Sequence, residues 1–407
     1  MRDPGPRRHL SDSIPAQTLI ALSFNIISLF AGGLVSVFTP QFEALPWILA
    51  LFPPILTIRG GIGGIFSGNL ATMLHLGLVR PQIRRNTAIY GQLISAVFVI
   101  TLVDTLAMGM FAFVLNLVLG RASLGLISIF AIVPPVACVL AMAFSIPLTS
   151  VLAIATFRRG LDPDILVYPV LASINDITVT AAFVATVFLV LSGGPFLLLL
   201  YGIFLAIIVA TGLLVWRNRG VGFFYQTIRE GITVVIMSSL FGSVNGLFLS
   251  GMSSSLQAYP GVVVLYPALT NALGNVGSIV GSTTTTSIAL GVVRSLKEET
   301  REALGSIAQI EAVALLMHFL FGVITYLLVK PSAPKASFSF LVKIALGTNL
   351  LTFLPIGLFS LLLAFQAFKR GLNPDNVVIP VITSISDTMA TLALLQALAI
   401  FRFFGAL

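Results

Sequence analysis

Two aspartates are the residues of this chain best placed to do chemistry. Asp176 and Asp387 each lie inside an apolar stretch, 211 positions apart, and each follows the same spaced residues. Pro169 and Ser173 precede the first; Pro380 and Ser384 precede the second. Asn175 and Ser386 stand beside them. A charge at the centre of a bilayer carries an insertion penalty of about 2.5–3.5 kcal/mol, so an acid repeated in register needs a reason. Carboxylates with hydroxyls and amides suit a hard, partly hydrated cation such as Mg²⁺, which gives up its water reluctantly. No cluster of thiolates or imidazoles points to a softer metal. The metal-binding set expected is Asp176, Asp387, Ser173, Ser384 and Asn175.

The flanking sequence says how these acids are held. Arg158-Arg159-Gly160-Leu161-Asp162-Pro163-Asp164 recurs as Lys369-Arg370-Gly371-Leu372-Asn373-Pro374-Asp375. Asp162 and Asn373 have the form of helix N-caps, each followed by proline at the first helical position. Fourteen residues separate cap from acid. At 1.5 Å per residue that is about 21 Å, well into the membrane. Ser173 and Ser384 then share a helical face with their acids. Asp164 and Asp375 fall in the first turn, where an acid complements the helix dipole and can also attract cations to a pore mouth.

A second element repeats as well. Pro53 to Arg80 returns 214 positions later as Pro267 to Arg294. Both copies are rich in glycine: Gly60, Gly64, Gly68 and Asn69 in one, Gly274, Asn275, Gly277 and Gly281 in the other. Small residues at these spacings allow close helix packing. Bare backbone can also line a cavity and offer carbonyls to a cation. Gly60, Gly64, Asn69, Gly274, Asn275 and Gly277 are therefore expected to line a pore. Thr283 to Thr286, between Ser282 and Ser287, can line a polar path or bond back to helix carbonyls. Arg59 has Leu273 as its counterpart, so the copies are not electrically identical. Asp104 and Glu311 lie in the third span of each copy. An offset of 214 pairs Asp104 with His318, whereas matching Gln92 to Gln309 needs 217, so the two acids are not equivalents. Asp104, Glu311 and Arg59 can be structural partners or can couple transport to a second ion.

Composition fixes the class. Hydrophobic residues make up 57% and charged residues 9% of the 407, far below the roughly 25% charged of a soluble domain. The expected fold is all-α and polytopic, with about eleven spans: 14–40, 47–79, 87–119, 123–157, 164–192, 195–216, 225–251, 260–293, 302–329, 337–368 and 376–401. Pro53, Pro54, Pro134, Pro135, Pro147, Pro267 and Pro355 are expected irregularities. A polar tail (1–13) precedes the first repeat (14–193), a connector (194–222) and the second repeat (223–407). The single cysteine, Cys138, excludes an intrachain disulfide, and His9, His75 and His318 are too scattered for a zinc centre.

Basic residues orient the chain. With the N-terminus in the cytoplasm, sixteen Lys and Arg fall inside and five outside, with Arg59 within a span. The C-terminus is then outside. The net charge of +8 is accounted for by the inner membrane face, without nucleic acid. Each repeat has five spans, an odd number, so the connector must carry the chain back across. Both repeats then run the same way, related by a pseudo-twofold axis along the membrane normal. The connector itself is expected to face lipid.

At these motifs the chain resembles the MgtE-type divalent cation transporters, especially their duplicated solute-carrier relatives. The family pattern of Pro-Ala-Leu, then Gly-Asn and spaced glycines, matches Pro267-Ala268-Leu269, Gly274-Asn275, Gly277 and Gly281; Pro53 to Asn69 is a looser match. The family's Asp-Pro segment leading to Pro, Ser/Thr and an acid matches Asp162-Pro163 to Asp176 and Asn373-Pro374 to Asp387. The resemblance implies a magnesium-selective pore on the axis, walled by the second and fifth spans of each half, with Asp176 and Asp387 as the pore acids. It implies Mg²⁺ as the transported ion and a chain that works as a monomer, since single-repeat relatives dimerise to build the same pore. The large cytoplasmic sensing domains of the bacterial proteins have no counterpart here, so their gating does not carry over. Mn²⁺, Co²⁺ or Ni²⁺ can also be cargo.

Two other readings compete. One is a proton- or sodium-coupled carrier of a small organic solute. The other is an intramembrane enzyme, which is not expected: no span carries paired acids at i and i+4, and the acids lie deep.

Overall fold

Long apolar runs have one way to satisfy their backbone in lipid, which is to bond internally as helices. The computed structural model describes residues 14–29, 46–120, 122–251, 260–291, 296–331 and 336–403. Among them are eleven α-helices: α1 (Ile14–Ser23), α2 (Pro46–His75), α3 (Ala88–Val118), α4 (Ile127–Arg158), α5 (Pro163–Ser192), α6 (Gly194–Arg217), α7 (Gly222–Gly251), α8 (Pro260–Ala289), α9 (Leu296–Val329), α10 (Phe338–Lys369) and α11 (Pro374–Phe403). Leu124–Leu126 forms a 3₁₀ turn before α4. Seven of the described helices are long and apolar enough to cross a membrane. The protein is an all-helical, multi-pass membrane protein. The polar tail 1–13 lies outside the described residues, as do Arg121, Arg294 and Lys335.

The expected prolines do not break their helices. α4 runs through Pro134, Pro135 and Pro147, α8 through Pro267 and α10 through Pro355. Packed neighbours and side-chain hydroxyls make such prolines tolerable inside a membrane bundle. The helices end instead at glycines. Gly160 (φ 73°) and Gly371 (φ 70°) occupy the left-handed region just past α4 and α10. That conformation stops each helix and turns the chain into the caps of α5 and α11.

The two repeats are parallel. Thr72 and Thr286 are 214 positions apart, and their hydroxyls lie 3.2 Å from one another. Each sits in the last turns of its helix, α2 or α8, so these helices end on the same side. Tyr168 and Ile379, equivalents at the 211 offset, also pack together with Ala172. Contacts between equivalent residues mark the pseudo-twofold axis. Packing within the halves repeats too: a Cβ on Gly63 would meet Leu171, and one on Gly277 would meet Ile382, again 211 apart.

The first helix of each repeat crosses to the other half. Val235 of α7 is buried with Ile55, Ile62, Leu93 and Ile100 of the first half, and Gly231 fits against Ile100 and Ile65. Ala21 and Leu22 of α1, and Leu29 beyond it, are buried with Ile310, Val313 and Phe321 of α9. The sequence repeats are thus interlocked in space. α6 stays apart: only Leu200 and Ile207 are buried, whereas Leu198, Leu205 and Leu213 are exposed. A helix apolar on all sides with so little protein cover is built for lipid contact.

The third helices settle a register. Gly109 of α3 lets the backbone of Phe130 approach, and Gly322 of α9 does the same for Val342. These glycines are 213 positions apart, which places Asp104 opposite Met317 and Glu311 opposite Phe98. The two acids are not equivalents.

Candidate functional site

The pathway is built from the N-terminal turns of α5 and α11. Asp162 caps α5, its side chain accepting from Asp164 N at 2.9 Å. Asn373 caps α11 in the same way at 3.1 Å. Each cap residue's own N–H is then held by the crossing helix. Asp162 N donates to Gln17 Oε1 (2.7 Å), and Asn373 N donates to Glu230 Oε2 (3.1 Å). Gln17 and Glu230 are 213 positions apart, so the device occurs twice. The halves exchange charge here: amide holds acid in one, acid holds amide in the other. Glu230 also accepts from Asn376 (2.8 Å) and Gln226 (2.9 Å). Neither Gln17 nor Glu230 stands out by sequence motif; their common spacing in the first spans is the signal that could have found them.

Asp176 and Asp387 sit farther along, both only partly buried. They lie within Coulombic range of one another across the axis. Asp176 Oδ2 accepts from Ser28 (3.1 Å) and from Asn271 of α8. Asp387 has no comparable donors among the described residues. Ser173 donates to Asn25 Oδ1 (3.0 Å), which also receives Asn275 Nδ2 (2.8 Å). Ser384 bonds back to Pro380 O (2.9 Å). Asn175 is buried, and its Oδ1 and the Ser386 hydroxyl have no hydrogen-bond partner among the described residues. Asn25, Ser28 and Asn271 are thus polar groups near the acids that their isolated positions in apolar sequence did not single out.

Toward the helix caps the axis narrows. Tyr168, Ala172 and Ile379 meet there, and the Tyr168 hydroxyl pairs with Thr383. The glycines of α2 make this approach possible. Gly60 lies against the Tyr168 hydroxyl, Gly64 and Gly68 against Ile379. Gly64 has no room for a Cβ, because Ile379 already fills that space; Gly281 is filled likewise by Val378. Gly274 faces Thr383 at 3.7 Å and Gly277 faces Ile382 and Ile356. Gly64, Gly277 and Gly281 are thus packed too tightly for a side chain, whereas Gly60 and Gly274 have ordinary van der Waals room. Asn69 links α2 to α11, donating to Asn376 Oδ1 (2.8 Å) and accepting from Asn373 (3.0 Å).

At the capped ends is a second polar ring. Asp164 accepts from Ser282 (2.7 Å) and Thr286, both of α8, and Asp375 accepts from Thr72 of α2. Each acid thus bonds to the opposite half, with the Thr72–Thr286 contact between them. The threonine run divides its duties: Thr286 faces this ring, whereas Thr283 bonds back to Ile279 O (2.8 Å). A cavity of about 390 Å³ opens here, lined by Asn69, Thr72, Gln226, Ala289, Asn373 and Asp375.

The remaining intramembrane ions lie off this path. Arg59 is buried, so it does not snorkel; its Nε and Nη1 have no partner among the described residues, and the buried Cys138 lies nearby. Asp104 is fully buried in α3 with both oxygens unpartnered there. Glu311 is held by Asn349 of α10 at 2.9 and 3.1 Å.

Parallel repeats that bring paired carboxylates to an axis between them are an arrangement suited to transport across a membrane. The sequence profile of the MgtE family, described as "Divalent cation transporter", matches residues 52–186 and 266–397, well over half the chain. The chain belongs to this family. It is 30% identical over 137 residues to "Solute carrier family 41 member 2" from Gallus gallus, a match covering 33% of this chain and 24% of that protein. Among solved structures, a Vibrio cholerae MATE transporter aligns over 96% of this chain and 98% of its own, at TM-score 0.41 and 15% identity. A MATE in complex with MaD5 aligns over 99% and 98%, at TM-score 0.39 and 16% identity.

Proposed function

We propose that this chain carries Mg²⁺ across the membrane, along the pseudo-twofold axis, with Asp176 and Asp387 flanking the ion. The observation that carries this reading is the pair itself: equivalent carboxylates, each partly accessible, within Coulombic range across the axis. Mg²⁺ prefers octahedral oxygen and keeps several waters. Two facing carboxylates match such an ion by charge, accepting hydrogen bonds from its water shell, while Ser28, Asn271 and Asn175 supply neutral polar surface. Tyr168, Ala172 and Ile379, which pack together between the acids and the helix caps, are the gate in this reading. The ring of Asp164 and Asp375 then faces the cytoplasm and concentrates cations at the inner mouth. The N-terminus lies inside and the C-terminus outside. One chain suffices for a pore, and the chain is not an enzyme.

The test is Mg²⁺ entry into proteoliposomes, read by an internal indicator. Saturable uptake that cobalt(III) hexammine, an inert mimic of hydrated Mg²⁺, suppresses is the expected result. Uptake no faster than in protein-free vesicles, under every imposed potential and Na⁺ or pH gradient, would reject the reading. Dependence on one of those gradients identifies a coupled carrier; dependence on potential alone identifies a channel.

A further inference from the structure

At the capped helix ends the halves differ in a cluster that joins Asp164 to His75 and Asp162. His75 ends α2, and its Nε2 lies 3.5 Å from Asp162 Oδ1 and 3.8 Å from Asp164 Oδ2. One ligand atom from each of the three residues lies within 4.8 Å of the others. The three histidines are indeed scattered, but this one meets two carboxylates instead.

Five features separate this cluster from an incidental group of acids. His75 Nε2 is shut off from solvent, and among the described residues it makes no short hydrogen bond: Asp162 Oδ1 and Asp164 Oδ2 are the acceptors facing it. Its distances to both oxygens exceed those of good charge-assisted hydrogen bonds, about 2.7–2.9 Å. Ligands bound side by side to one ion at about 2.1 Å stand roughly 3.0–3.5 Å apart, from octahedral to tetrahedral angles, close to the spacing seen. The ligands are also oriented from behind. The Asp164 Oδ1 atom is taken by Ser282 (2.7 Å), which leaves Oδ2 toward His75, and Phe157 holds the imidazole edge-on at 5.5 Å between centroids. Such outer contacts are what fix metal ligands in place. No Lys or Arg pairs with either carboxylate among the described residues.

We propose that His75, Asp162 and Asp164 form a cation site in the first half alone, selective for first-row transition dications over Mg²⁺. An imidazole with two carboxylates suits Mn²⁺, Co²⁺, Ni²⁺ or Zn²⁺, whereas Mg²⁺ prefers all-oxygen surroundings. The second half has no such site. Ala289 stands where His75 would be and Asn373 where Asp162 would be, with only Asp375 retained. Because Asp164 also bonds to α8, an ion here ties α2 and α5 of one half to the other half at the inner mouth. The proposal does not depend on what the pore carries.

The test is Co²⁺ binding to the tag-free, purified chain in excess Mg²⁺, followed by visible absorption and by titration. It is made in an Asp176→Asn/Asp387→Asn background, so that failure of the pore reading leaves it unaffected. One equivalent of Co²⁺ with nitrogen-ligated d–d bands is expected. His75→Ala removes that equivalent, and Asp162→Asn weakens it at least about tenfold. Each variant carries the residue that the other half already has at that place, and melting without metal checks that it folds. Equal Co²⁺ stoichiometry in His75→Ala and its parent overturns the proposal, as does a parent that binds no Co²⁺ above Mg²⁺ competition.

Discussion

The two halves share a backbone plan and differ in how they treat the same acid. Asp176 is tethered by Ser28 and Asn271, whereas Asp387 has no such donors among the described residues. At the capped ends of α5 and α11 the contrast recurs: Asp164 faces an imidazole, while Asp375 borders an open cavity. Symmetry therefore sets where the carboxylates are, and local neighbours set how available each one is. A duplicated chain can vary the two sides separately, which an assembly of identical subunits cannot do.

The largest effect should break that contrast at the acids. Asp387 is the less tethered, so Asp387→Asn is expected to lower Mg²⁺ uptake about tenfold, or ~1.4 kcal/mol in barrier. Asp176→Asn, already partly satisfied by neutral donors, should lower it only about threefold. Initial rates in proteoliposomes check this, and an equal or reversed order would show that the tethers do not matter.

Packing gives the next effect. Gly64→Ala drives a methyl into Ile379, a stiff β-branched side chain, and Gly281→Ala does the same to Val378. Each should destabilise by about 1–3 kcal/mol, seen as a lower melting temperature. Gly274→Ala, with 3.7 Å to Thr383, should stay within about 0.5 kcal/mol. Combining Gly64→Ala with Ile379→Ala should restore part of the loss; no recovery would mean the clash lies elsewhere.

The crossing helices sharpen the comparison further. Glu230→Ala removes the acceptor for Asn373 N and Asn376, and Gln17→Ala removes that for Asp162 N. Loss of about 1–2 kcal/mol is expected for each, with Glu230→Ala the larger because its carboxyl group serves three donors. Thermal melting in detergent measures both. The smallest effect falls off the axis: Glu311→Gln keeps a hydrogen bond to Asn349, so Mg²⁺ uptake should change by less than about twofold. A larger drop would make Glu311 part of the transport path.

Much of this plan was legible in the sequence because it rests on local rules and on duplication. The Asx-Pro starts at Asp162 and Asn373 form the caps expected, and eleven helices lie where apolar runs predicted them. The contacts Thr72–Thr286, at an offset of 214, and Tyr168–Ile379, at 211, follow the two offsets at which the repeats align. What the sequence hid is long-range. The partners of Asp176, Ser28 and Asn271, stand 148 and 95 positions away, on helices whose crossing no periodicity encodes. The glycine stripes suit both packing and pore lining, and what only the neighbours reveal is that Ile379 and Val378 press on Gly64 and Gly281. His75 looked solitary for the same reason: its partners Asp162 and Asp164 belong to a distant helix start.

The most direct measurement is Mg²⁺ uptake by the Asp176→Asn/Asp387→Asn protein, reconstituted at wild-type density and shown by melting to be folded. Loss of uptake to the level of protein-free vesicles is the predicted result. Uptake at the wild-type rate would contradict the central claim that these two carboxylates flank the conducted ion.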